Sequence, residues 1–435
     1  MTRTPLSVFP LAPYGLLWRA ARPFLRRHKR LRGDFPSRMV PASWALPWSG
    51  QTDIWIQAAS GGEAYLARQL LEALLAMASL HPQQPLRILC TSCTRQGLDV
   101  LEAALRDGTS LGLDIAIRVF PLDEPAVMRR ALDMVRPRAV ALLETELWPG
   151  LMALCAANAV PVAVVNGRMT EKSWSGYRLL RGFWRQVAPR RILAMDDTDA
   201  SRFADLFGFD RVGLMHNMKF DGIRLETAAA DPHSPAARLL PGDVPVILLA
   251  SVREEEESLL LPVIADLRKH APETILVIAP RHMERVAAWN AHLSPYCPRL
   301  RSSLKDTDPA RPGDAVIWDA FGELSSLYAR ANAVFVGGSL APLGGQNFLE
   351  PAGQGRIPAI GPFWKNFAWV GEAFFAAGLG IRVTSPEALC STLLAVLRTA
   401  PDPEFQRRQV AAYVAPRQGG TRQAAEEVLR ILRRR

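Results

Sequence analysis

Acidic residues follow apolar runs in the first half of the chain, at positions where side chains can act on a substrate. The segment Ser60-Gly61-Gly62-Glu63 comes after the run at 53–58 and opens a stretch with helical periodicity. Ligands bind at the carboxyl ends of strands in α/β domains, so Glu63 is a candidate catalytic carboxylate, with Ser60 and Gly62 beside it. The spacing Ser-x-x-Glu also fits a capping box at the start of a helix. The residues alone leave both interpretations open.

Two later segments have the same placement. Glu144 and Glu146 follow the run at 138–143, and Arg168 follows the run at 161–165. Two carboxylates two positions apart could bind hydroxyl groups, or one could orient or tune a base. The alternative is that the macrodipole favours acids at a helix start. Arg168 could hold an anionic group or form a structural ion pair.

A basic pair follows a strand in the second half of the chain. Arg281 and His282 come directly after the apolar run at 274–279. Side chains of this type could meet a phosphate or a carboxylate. A cap on a surface helix is the alternative.

Two glycine-rich segments, 336–340 and 344–351, lie between a predicted strand and a helix. Free backbone amides at Gly338 and Ser339 would cradle a phosphate, and the helix start would add its dipole. Asn347 and Glu350 stand in the second segment, where Glu350 would accept hydrogen bonds from a ribose diol. The pair of glycine-rich segments therefore predicts a nucleotide site.

Three further patterns favour structural roles. Cys90 and Cys93 form an isolated pair without a second pair or a nearby histidine, so no metal site is predicted. Asp197-Thr198-Asp199 matches an Asp-x-Asp metal-binding pattern, but it opens a helix, where capping is the better explanation. The acidic run at 254–257 suits a negatively charged first helical turn.

Apolar runs alternate with helix-length segments along the whole chain, which is typical of parallel strands buried on both faces. The 435 residues, 49% of them hydrophobic, are too many for one ordinary core. The predicted fold class is α/β, with two Rossmann-like domains facing a central cleft. The predicted strands are 53–58, 86–91, 115–120, 138–143, 161–165 and 190–195, then 246–250, 274–279, 315–318, 331–337, 358–361 and 380–383.

The predicted domains are a basic arm at 1–45, a first Rossmann-like domain at 46–230 and a second at 231–435. The polar stretch 227–245 is the predicted linker between the two larger domains. The last helix, from about residue 421, is the element that can pack back on the first domain.

The basic charge is concentrated in the arm. Of the formal net charge of +10, the first 40 residues contribute +8, from nine Lys and Arg residues against Asp34. Pro10 and Pro13 interrupt the apolar run at 6–18, and the arm has no stretch of eighteen apolar residues. Neither a spanning helix nor a cleaved signal peptide is therefore predicted. The five scattered cysteines indicate a reducing compartment.

The arm has two faces if it is helical. One face is apolar and contains Tyr14, Leu17, Trp18, Ala21, Phe24 and Leu25, and the other is cationic and contains Arg19, Arg22, Arg26, Lys29 and Arg30. This pattern suits an anionic membrane surface. Packing on its own domain and nucleic-acid binding are the alternatives, but no aromatic-interleaved RNA-binding motif or zinc finger supports a nucleic acid.

Taken together, these motifs resemble the bacterial 3-deoxy-D-manno-octulosonic acid (Kdo) transferases, glycosyltransferases of the GT-B fold in lipopolysaccharide core assembly. They occur in the family's order over about 54–383. Ser60-Gly61-Gly62-Glu63 is similar to the family's Ser-Val-Gly-Glu, and Glu144-Thr145-Glu146-Leu147-Trp148-Pro149 matches the family outright. Segments 217–221, 280–282, 322–324 and 337–340 match as well, and 344–351 is similar. The departures are Gly61 for Val, Arg253 for His, Met283 for Pro, Gln346 for His and Phe348 for Pro.

The resemblance implies CMP-Kdo as donor, a lipid A precursor as acceptor, inversion at the anomeric carbon, and no essential metal or other cofactor. It implies Glu63 as the catalytic base. The implied acceptor-binding residues are Ser60, Gly62, Glu144, Glu146 and Arg168. The implied donor-binding residues are Lys219, Arg281, His282, Gly338, Ser339, Asn347 and Glu350. The family's N-terminal membrane-binding segment implies a position on the cytoplasmic face of the inner membrane, held by the arm without a spanning helix.

Two alternatives stay open. One is a diverged paralogue with a different activated sugar or acceptor, to which Gln346 and Arg253 point. The other is a catalytically silent sugar-nucleotide-binding protein at the membrane. Retention of Glu63, Arg281 and Glu350 favours an enzyme.

Overall fold

The computed structural model describes residues 11–29, 31–41, 44–78, 85–106, 113–223, 231–399 and 401–433. The chain divides by its contacts into two units. The N-terminal unit contains residues 1–222 and 417–435, and the C-terminal unit contains residues 223–416. Residues 1–10 and 30 of the predicted arm, and 227–230 of the predicted linker, lie outside the described residues.

A parallel sheet forms the centre of the N-terminal unit. Its strands are β1 (Thr52–Ala58), β2 (Leu86–Ser92), β3 (Leu113–Val119), β4 (Pro137–Leu143), β5 (Val162–Gly167), β6 (Arg191–Ala194) and β7 (Val212–Leu214). Their order in the sheet is β3-β2-β1-β4-β5-β6-β7. The direction of the strand order reverses between β1 and β4, where Gln57 lies beside Leu142. This reversal is the switch point at which α/β sheets bind ligands.

Helices cover both faces of this sheet. They are α1 (Leu11–Arg27), α2 (Phe35–Arg38), α3 (Gly61–Ala78), α4 (Arg95–Arg106), α5 (Pro125–Val135), α6 (Pro149–Ala157), α7 (Glu171–Arg178), α8 (Arg181–Gln186) and α9 (Asp197–Phe207). Successive side chains of a strand point to opposite faces. Ile54 and Ile56 therefore pack in the core formed with α3, and Trp55 packs in the core formed with α5 and α6.

The C-terminal unit repeats this architecture. Its strands are β8 (Val246–Val252), β9 (Ile275–Pro280), β10 (Arg299–Leu300), β11 (Ala315–Ile317), β12 (Ala333–Val336), β13 (Pro358–Ile360) and β14 (Ile381–Arg382). Its helices are α10 (Pro235–Leu239), α11 (Glu257–His270), α12 (Val286–His292), α13 (Leu324–Arg330), α14 (Leu349–Gly353), α15 (Glu372–Ala376), α16 (Pro386–Thr399) and α17 (Pro403–Val414). The strand order is β10-β11-β9-β8-β12-β13-β14, and all pairs are parallel.

The last helix, α18 (Gly420–Arg433), belongs to the N-terminal unit although it follows the C-terminal sheet in sequence. Ala424, Val428 and Ile431 lie in the same buried core as the apolar side chains of α3. The Asp221 carboxylate accepts hydrogen bonds from the backbone amides of Gly419 and Thr421 and so fixes the start of this helix.

The predicted fold class is confirmed: two parallel α/β units, each with a seven-stranded sheet. Each predicted strand is present, and the sequence missed the short strands β7 and β10 because neither contains an extended apolar run. The domain limits differ from the prediction. The division by contacts falls after Gly222 rather than after residue 230, and 417–435 joins the N-terminal unit because α18 buries its apolar face there.

The predicted arm is not separate from the N-terminal unit, because α1 packs on it. The Tyr14 hydroxyl donates to Asp123 at 2.9 Å, and Arg22 forms an ion pair with Glu124 at 2.5 Å. Trp18 is partly buried against the core. The predicted single apolar face is therefore divided: Trp18 and Leu25 pack against the protein, whereas Leu17 and Phe24 of the same predicted face are exposed.

The outward apolar stripe of α1 contains Leu16, Leu17 and Phe24, which are 62%, 68% and 77% exposed. Arg26 and Arg27 stand in its last turn. In the part of the chain that the structure describes, no helix is both long and apolar enough to cross a membrane.

Candidate functional site

Glu63 lies in the first turn of α3, directly after the carboxyl end of β1. Its carboxylate accepts hydrogen bonds from the Ala59 amide at 2.5 Å and from the Ser60 hydroxyl at 3.1 Å. The Glu63 amide donates to Ser60 Oγ at 3.4 Å, which completes the capping arrangement. Burial and the negative charge of Glu144 raise the pKa of Glu63, although the hydrogen bonds oppose that rise. The cap and a carboxylate with a raised pKa thus coexist in one side chain.

Glu144 begins the loop after β4, next to β1 in the sheet. Its φ of +57° lies in the left-handed region, which side chains other than glycine rarely adopt. Such strain costs on the order of 1–3 kcal/mol and is concentrated at functional sites. The Glu144 carboxylate forms an ion pair with Lys219 at 2.7 Å. Lys219, expected at the donor, therefore lies in the N-terminal unit and pairs with a residue of the predicted acceptor set.

Glu146 completes a cluster of three carboxylates at the switch point of the first sheet. It accepts hydrogen bonds from the Trp148 indole at 2.7 Å and from the Gln57 amide at 3.2 Å. Burial, followed by the charge of Glu63, raises the pKa of Glu146 to about 7. The cluster can therefore hold both a proton acceptor and a carboxyl group that keeps its proton near neutral pH.

Arg168 lies two residues after Asn166, which also has a left-handed φ of +53°. The structure gives Arg168 no ion pair among the residues that it describes, so the structural alternative for this side chain is not observed. Burial raises the pKa of nearby Asp199 to about 6, and the charge of Arg168 opposes that rise. Asp199 accepts a hydrogen bond from the Met169 amide at 2.7 Å, and Asp196 caps α9. Asp199 thus has a structural contact, and the cap of α9 is Asp196, one residue before the segment that the sequence singled out.

A second candidate site is a cavity of about 440 Å³ in the C-terminal unit, at the carboxyl ends of its strands. Of the predicted donor-binding residues, Arg281, Asn347 and Glu350 line it. Asn347 donates to Glu350 at 2.8 Å. Partial burial raises the pKa of Glu350, and the hydrogen bond from Asn347 and the charge of Arg281 oppose that rise. His282 is exposed and is not among the lining residues.

The Arg281 guanidinium is available to a ligand. It forms no ion pair or hydrogen bond with any residue described in the structure, although it is near enough to Glu350 to influence it electrostatically. An arginine in a cavity that also presents an amide and a carboxylate fits the phosphate and sugar of a nucleotide.

The expectation of free amides at Gly338 and Ser339 is wrong. The carboxylate of Glu256 accepts hydrogen bonds from Gly338 at 2.6 Å, from Ser339 at 2.9 Å and from Leu340 at 2.8 Å. Glu256 is fully buried, at 0% exposure. The side chain therefore occupies the cradle that a phosphate was expected to fill. The Ser339 hydroxyl is also engaged, with Val336 and Gly361.

The sequence did not single out several residues that shape these sites. The sequence predicted Glu256 in a negatively charged first helical turn, whereas the structure buries it. Its neighbour Glu257 is buried in a bidentate pair with Arg285 at 2.9 and 2.6 Å. Gln57 is fully buried between Thr91 and Glu146. A polar residue inside an apolar strand was the available signal for Gln57.

Two departures from the family pattern have a structural setting. Phe348 is fully buried, and its ring contacts Trp364, Phe367, Phe374 and Phe375, so it serves an aromatic core. Gln346 lines the cavity itself. Among the described residues, no three His, Cys, Asp or Glu side chains are grouped so that they could hold a metal ion.

Comparison with known proteins finds relatives with a described activity. Residues 26–222 match the family model described as 3-deoxy-D-manno-octulosonic-acid transferase (kdotransferase), a range that contains the whole carboxylate cluster. A 3-deoxy-D-manno-octulosonic acid transferase of Bordetella pertussis is 29% identical over 435 residues, 97% of each chain. The chain is therefore similar to the Kdo transferases. A second member of the family, from Haemophilus influenzae, is 27% identical over 71% of this chain and 70% of its own.

Solved structures agree with the fold of this chain. A glycosyltransferase from Rickettsia africae superposes with a TM-score of 0.57 at 11% identity, over 89% of this chain and 100% of its own. The Anabaena protein HepE, solved with UDP, superposes with a TM-score of 0.53 at 11% identity, over 87% and 99%. The similarity to Kdo transferases indicates that this chain is a glycosyltransferase.

Proposed function

We propose that this protein transfers Kdo from CMP-Kdo to a lipid A precursor, with inversion at the anomeric carbon and without an essential metal. The observation that carries the proposal is the carboxylate cluster of Glu63, Glu144 and Glu146 at the switch point of the first sheet. Burial raises the pKa values of Glu63 and Glu146, and the chain matches the Kdo transferase family model over residues 26–222.

Glu63 acts as the general base in this proposal. One of its carboxylate oxygens takes the proton from the attacking hydroxyl of the acceptor. The hydroxyl oxygen forms a bond to the anomeric carbon, and the bond from that carbon to the phosphate oxygen of CMP breaks. A raised pKa suits this role, because a base is most effective when its pKa lies near the working pH. A positioned base contributes roughly 10²–10⁴-fold to the rate.

The remaining members of the cluster bind the acceptor. Glu144 and Glu146 accept hydrogen bonds from sugar hydroxyls, Lys219 offsets part of the charge of Glu144, and Arg168 meets an anionic group of the acceptor. Ser60 and Gly62 form the turn that presents Glu63. The absence of an ion-pair partner for Arg168 among the described residues supports its assignment.

The donor binds in the cavity of the C-terminal unit. Arg281 neutralises the phosphate and stabilises the negative charge that CMP gains as it leaves. Asn347 orients Glu350, which accepts hydrogen bonds from the ribose diol. The amides of Gly338 and Ser339 take no part, because Glu256 holds them.

The protein works on the cytoplasmic face of the inner membrane in this proposal, without a spanning helix. The outward stripe of α1 and the arginines of its last turn support contact with an anionic bilayer. The contacts of Tyr14, Trp18 and Arg22 with the N-terminal unit fix the direction in which the stripe points.

A second candidate is a paralogue that uses a different activated sugar. The observation in its favour is that Gln346, which replaces the family's histidine, lines the donor cavity. Glutamine cannot carry a positive charge, so a carboxylated sugar would lose one potential contact.

The test measures the mass of the acceptor after the reaction. Wild-type protein is incubated with a tetraacylated lipid A precursor in detergent, and CMP-Kdo is generated in the same tube. A mass gain of one or more Kdo units supports the proposal. A folded protein that gives no gain with CMP-Kdo, but gives one with another activated sugar, establishes the second candidate.

A further inference from the structure

An exposed aromatic ring lines the donor cavity of the C-terminal unit. Phe321 is 79% exposed, yet it stands on the wall of the cavity that also presents Arg281 and Glu350. Single apolar residues on a protein surface need no special explanation. Phe321 is different, because side-chain hydrogen bonds hold its loop in place both before and after it.

The first set of hydrogen bonds lies before Phe321 in sequence. The Ser302 amide donates to one carboxylate oxygen of Asp319 at 2.8 Å, and the Ser302 hydroxyl donates to the other at 2.5 Å. These bonds tie the loop after β11 to the neighbouring segment after β10.

The second set of hydrogen bonds lies after Phe321 in sequence. Arg301 donates two hydrogen bonds to the carboxylate of Glu323, at 2.9 and 2.7 Å. The Trp318 indole donates to the same carboxylate at 3.0 Å. Gly322 has a φ of +85°, and a Cβ at this position would meet no atom within 4 Å, so glycine is needed here for its backbone conformation. The loop therefore displays the Phe321 ring from a defined position.

The other two aromatic rings of the cavity wall are already engaged. Trp318 is 1% exposed, and the guanidinium of Arg301 lies 5.8 Å from its ring centroid. Tyr328 is also buried, and its hydroxyl is hydrogen-bonded to Ser251. Phe321 thus presents the free ring face among the aromatic residues that line the cavity.

We propose that Phe321 provides the stacking face for the cytosine ring of the donor nucleotide. Arg281 and Glu350 account for the phosphate and the ribose, and the base is the remaining part of CMP that needs a binding surface. A planar base gains from an aromatic face in a position that is fixed in advance, because little ordering is lost on binding. Stacking of this kind strengthens binding about five-fold or more per base. The inference rests on the proposed CMP-linked donor.

The experiment measures dissociation constants by titration calorimetry on the full chain, with CMP and ribose 5-phosphate as probes. Ribose 5-phosphate carries the sugar and the phosphate but lacks the base. The variants are Phe321→Ala and Phe321→Trp. Phe405→Ala is the matched control, because Phe405 is an exposed phenylalanine of the same unit that does not line the cavity.

We expect Phe321→Ala to weaken CMP binding about five-fold or more and to leave ribose 5-phosphate binding unchanged. We expect Phe321→Trp and Phe405→Ala to bind both probes as the wild type does. Equal CMP binding by wild type and Phe321→Ala overturns the role of Phe321 and leaves the donor proposal intact. A wild-type protein that binds CMP no better than ribose 5-phosphate overturns the base subsite together with the CMP-linked donor.

Discussion

The ammonium group of Lys219 lies 2.7 Å from Oε1 of Glu144. The charge of Glu144 is in turn one of the causes that raise the pKa of Glu63. Lys219 therefore influences the proposed base Glu63 indirectly, because it offsets the negative charge of Glu144. This is a positioning and tuning role in the N-terminal unit.

Replacement of Lys219 by methionine tests that role. Without the ammonium group, the negative charge of Glu144 is uncompensated, and the pKa of Glu63 rises further. Because the base works in its deprotonated form, the acidic limb of the pH profile of kcat/KM moves to higher pH. The measurement is the rate of Kdo transfer between about pH 5 and 9.

Lys172→Met is the control for this variant, since Lys172 is an exposed lysine of α7 in the same unit. We expect the acidic limb of the kcat/KM profile of Lys172→Met to lie at the same pH as that of the wild type. An acidic limb that does not move in Lys219→Met contradicts the electrostatic link to Glu63.

Glu146 gives a prediction on stability. Its ordinary pKa is 4.5, and burial raises the pKa in the folded protein to about 7. Between these two values the folded state binds more protons than the unfolded state, so this group lowers stability as the pH rises through that window. Glu146→Gln removes the titration. We therefore expect the melting temperature of the variant, relative to wild type, to be higher at about pH 8 than at about pH 5.

Glu171→Gln serves as the comparison, because Glu171 is exposed in the first turn of α7. Its melting temperature relative to wild type changes little with pH. If the melting temperature of Glu146→Gln minus that of the wild type stays constant or falls toward high pH, Glu146 does not keep its proton in the folded protein.

Glu256 gives a prediction on the glycine-rich turn. Glu256→Ala leaves three backbone amides without their acceptor, and each buried unpaired amide costs about 1–3 kcal/mol. We expect the C-terminal unit to lose about 3 kcal/mol or more of stability, and the amides of Gly338, Ser339 and Leu340 to exchange hydrogen faster. Hydrogen exchange followed by mass spectrometry measures this directly. Glu255→Ala, at an exposed neighbour, leaves the exchange unchanged, and unchanged exchange in Glu256→Ala would refute the assignment.

The outward stripe of α1 gives a prediction on membrane binding. Burial of a leucine or phenylalanine side chain is worth about 1.5–3 kcal/mol, so the double variant Leu17→Gln with Phe24→Gln should bind anionic vesicles about ten-fold more weakly or worse. Co-sedimentation with vesicles containing phosphatidylglycerol measures it. These substitutions leave the contacts of Tyr14 and Trp18 intact.

The control is Phe209→Gln with Leu214→Gln, which changes the same two residue types at other exposed positions of the N-terminal unit. It binds vesicles as the wild type does. Equal binding by the α1 variant contradicts the membrane role of the stripe.

The sequence predicted the sheets well, because long apolar runs such as Pro137–Leu143 have few alternatives to a buried strand. It also predicted which residues end the strands. Gln57, Glu63 and Glu146 come together because β1 and β4 are neighbours, an arrangement that the Rossmann pattern implies.

The sequence could not predict which polar groups satisfy one another across the fold. Glu256 and Ser339 are far apart in sequence, and nothing in an acidic run indicates that one member is fully buried under three amides. The same limit applies to α1. A helical wheel grouped Trp18 with Phe24, but the wheel does not show which side of the helix the protein covers.

Glu63→Gln tests whether Glu63 is the base, because this substitution separates the role of a base from that of the helix cap. Glutamine retains an oxygen that can accept the hydrogen bond of the Ala59 amide, but it cannot take a proton from the acceptor. Transfer of Kdo to a tetraacylated lipid A precursor is measured for wild type, Glu63→Gln and Glu72→Gln, a matched control at an exposed position of the same helix. We expect a rate about 10²–10⁴-fold lower in Glu63→Gln, with the melting temperature of that variant and the rate of Glu72→Gln unchanged. A folded Glu63→Gln protein that retains most of its turnover would contradict it.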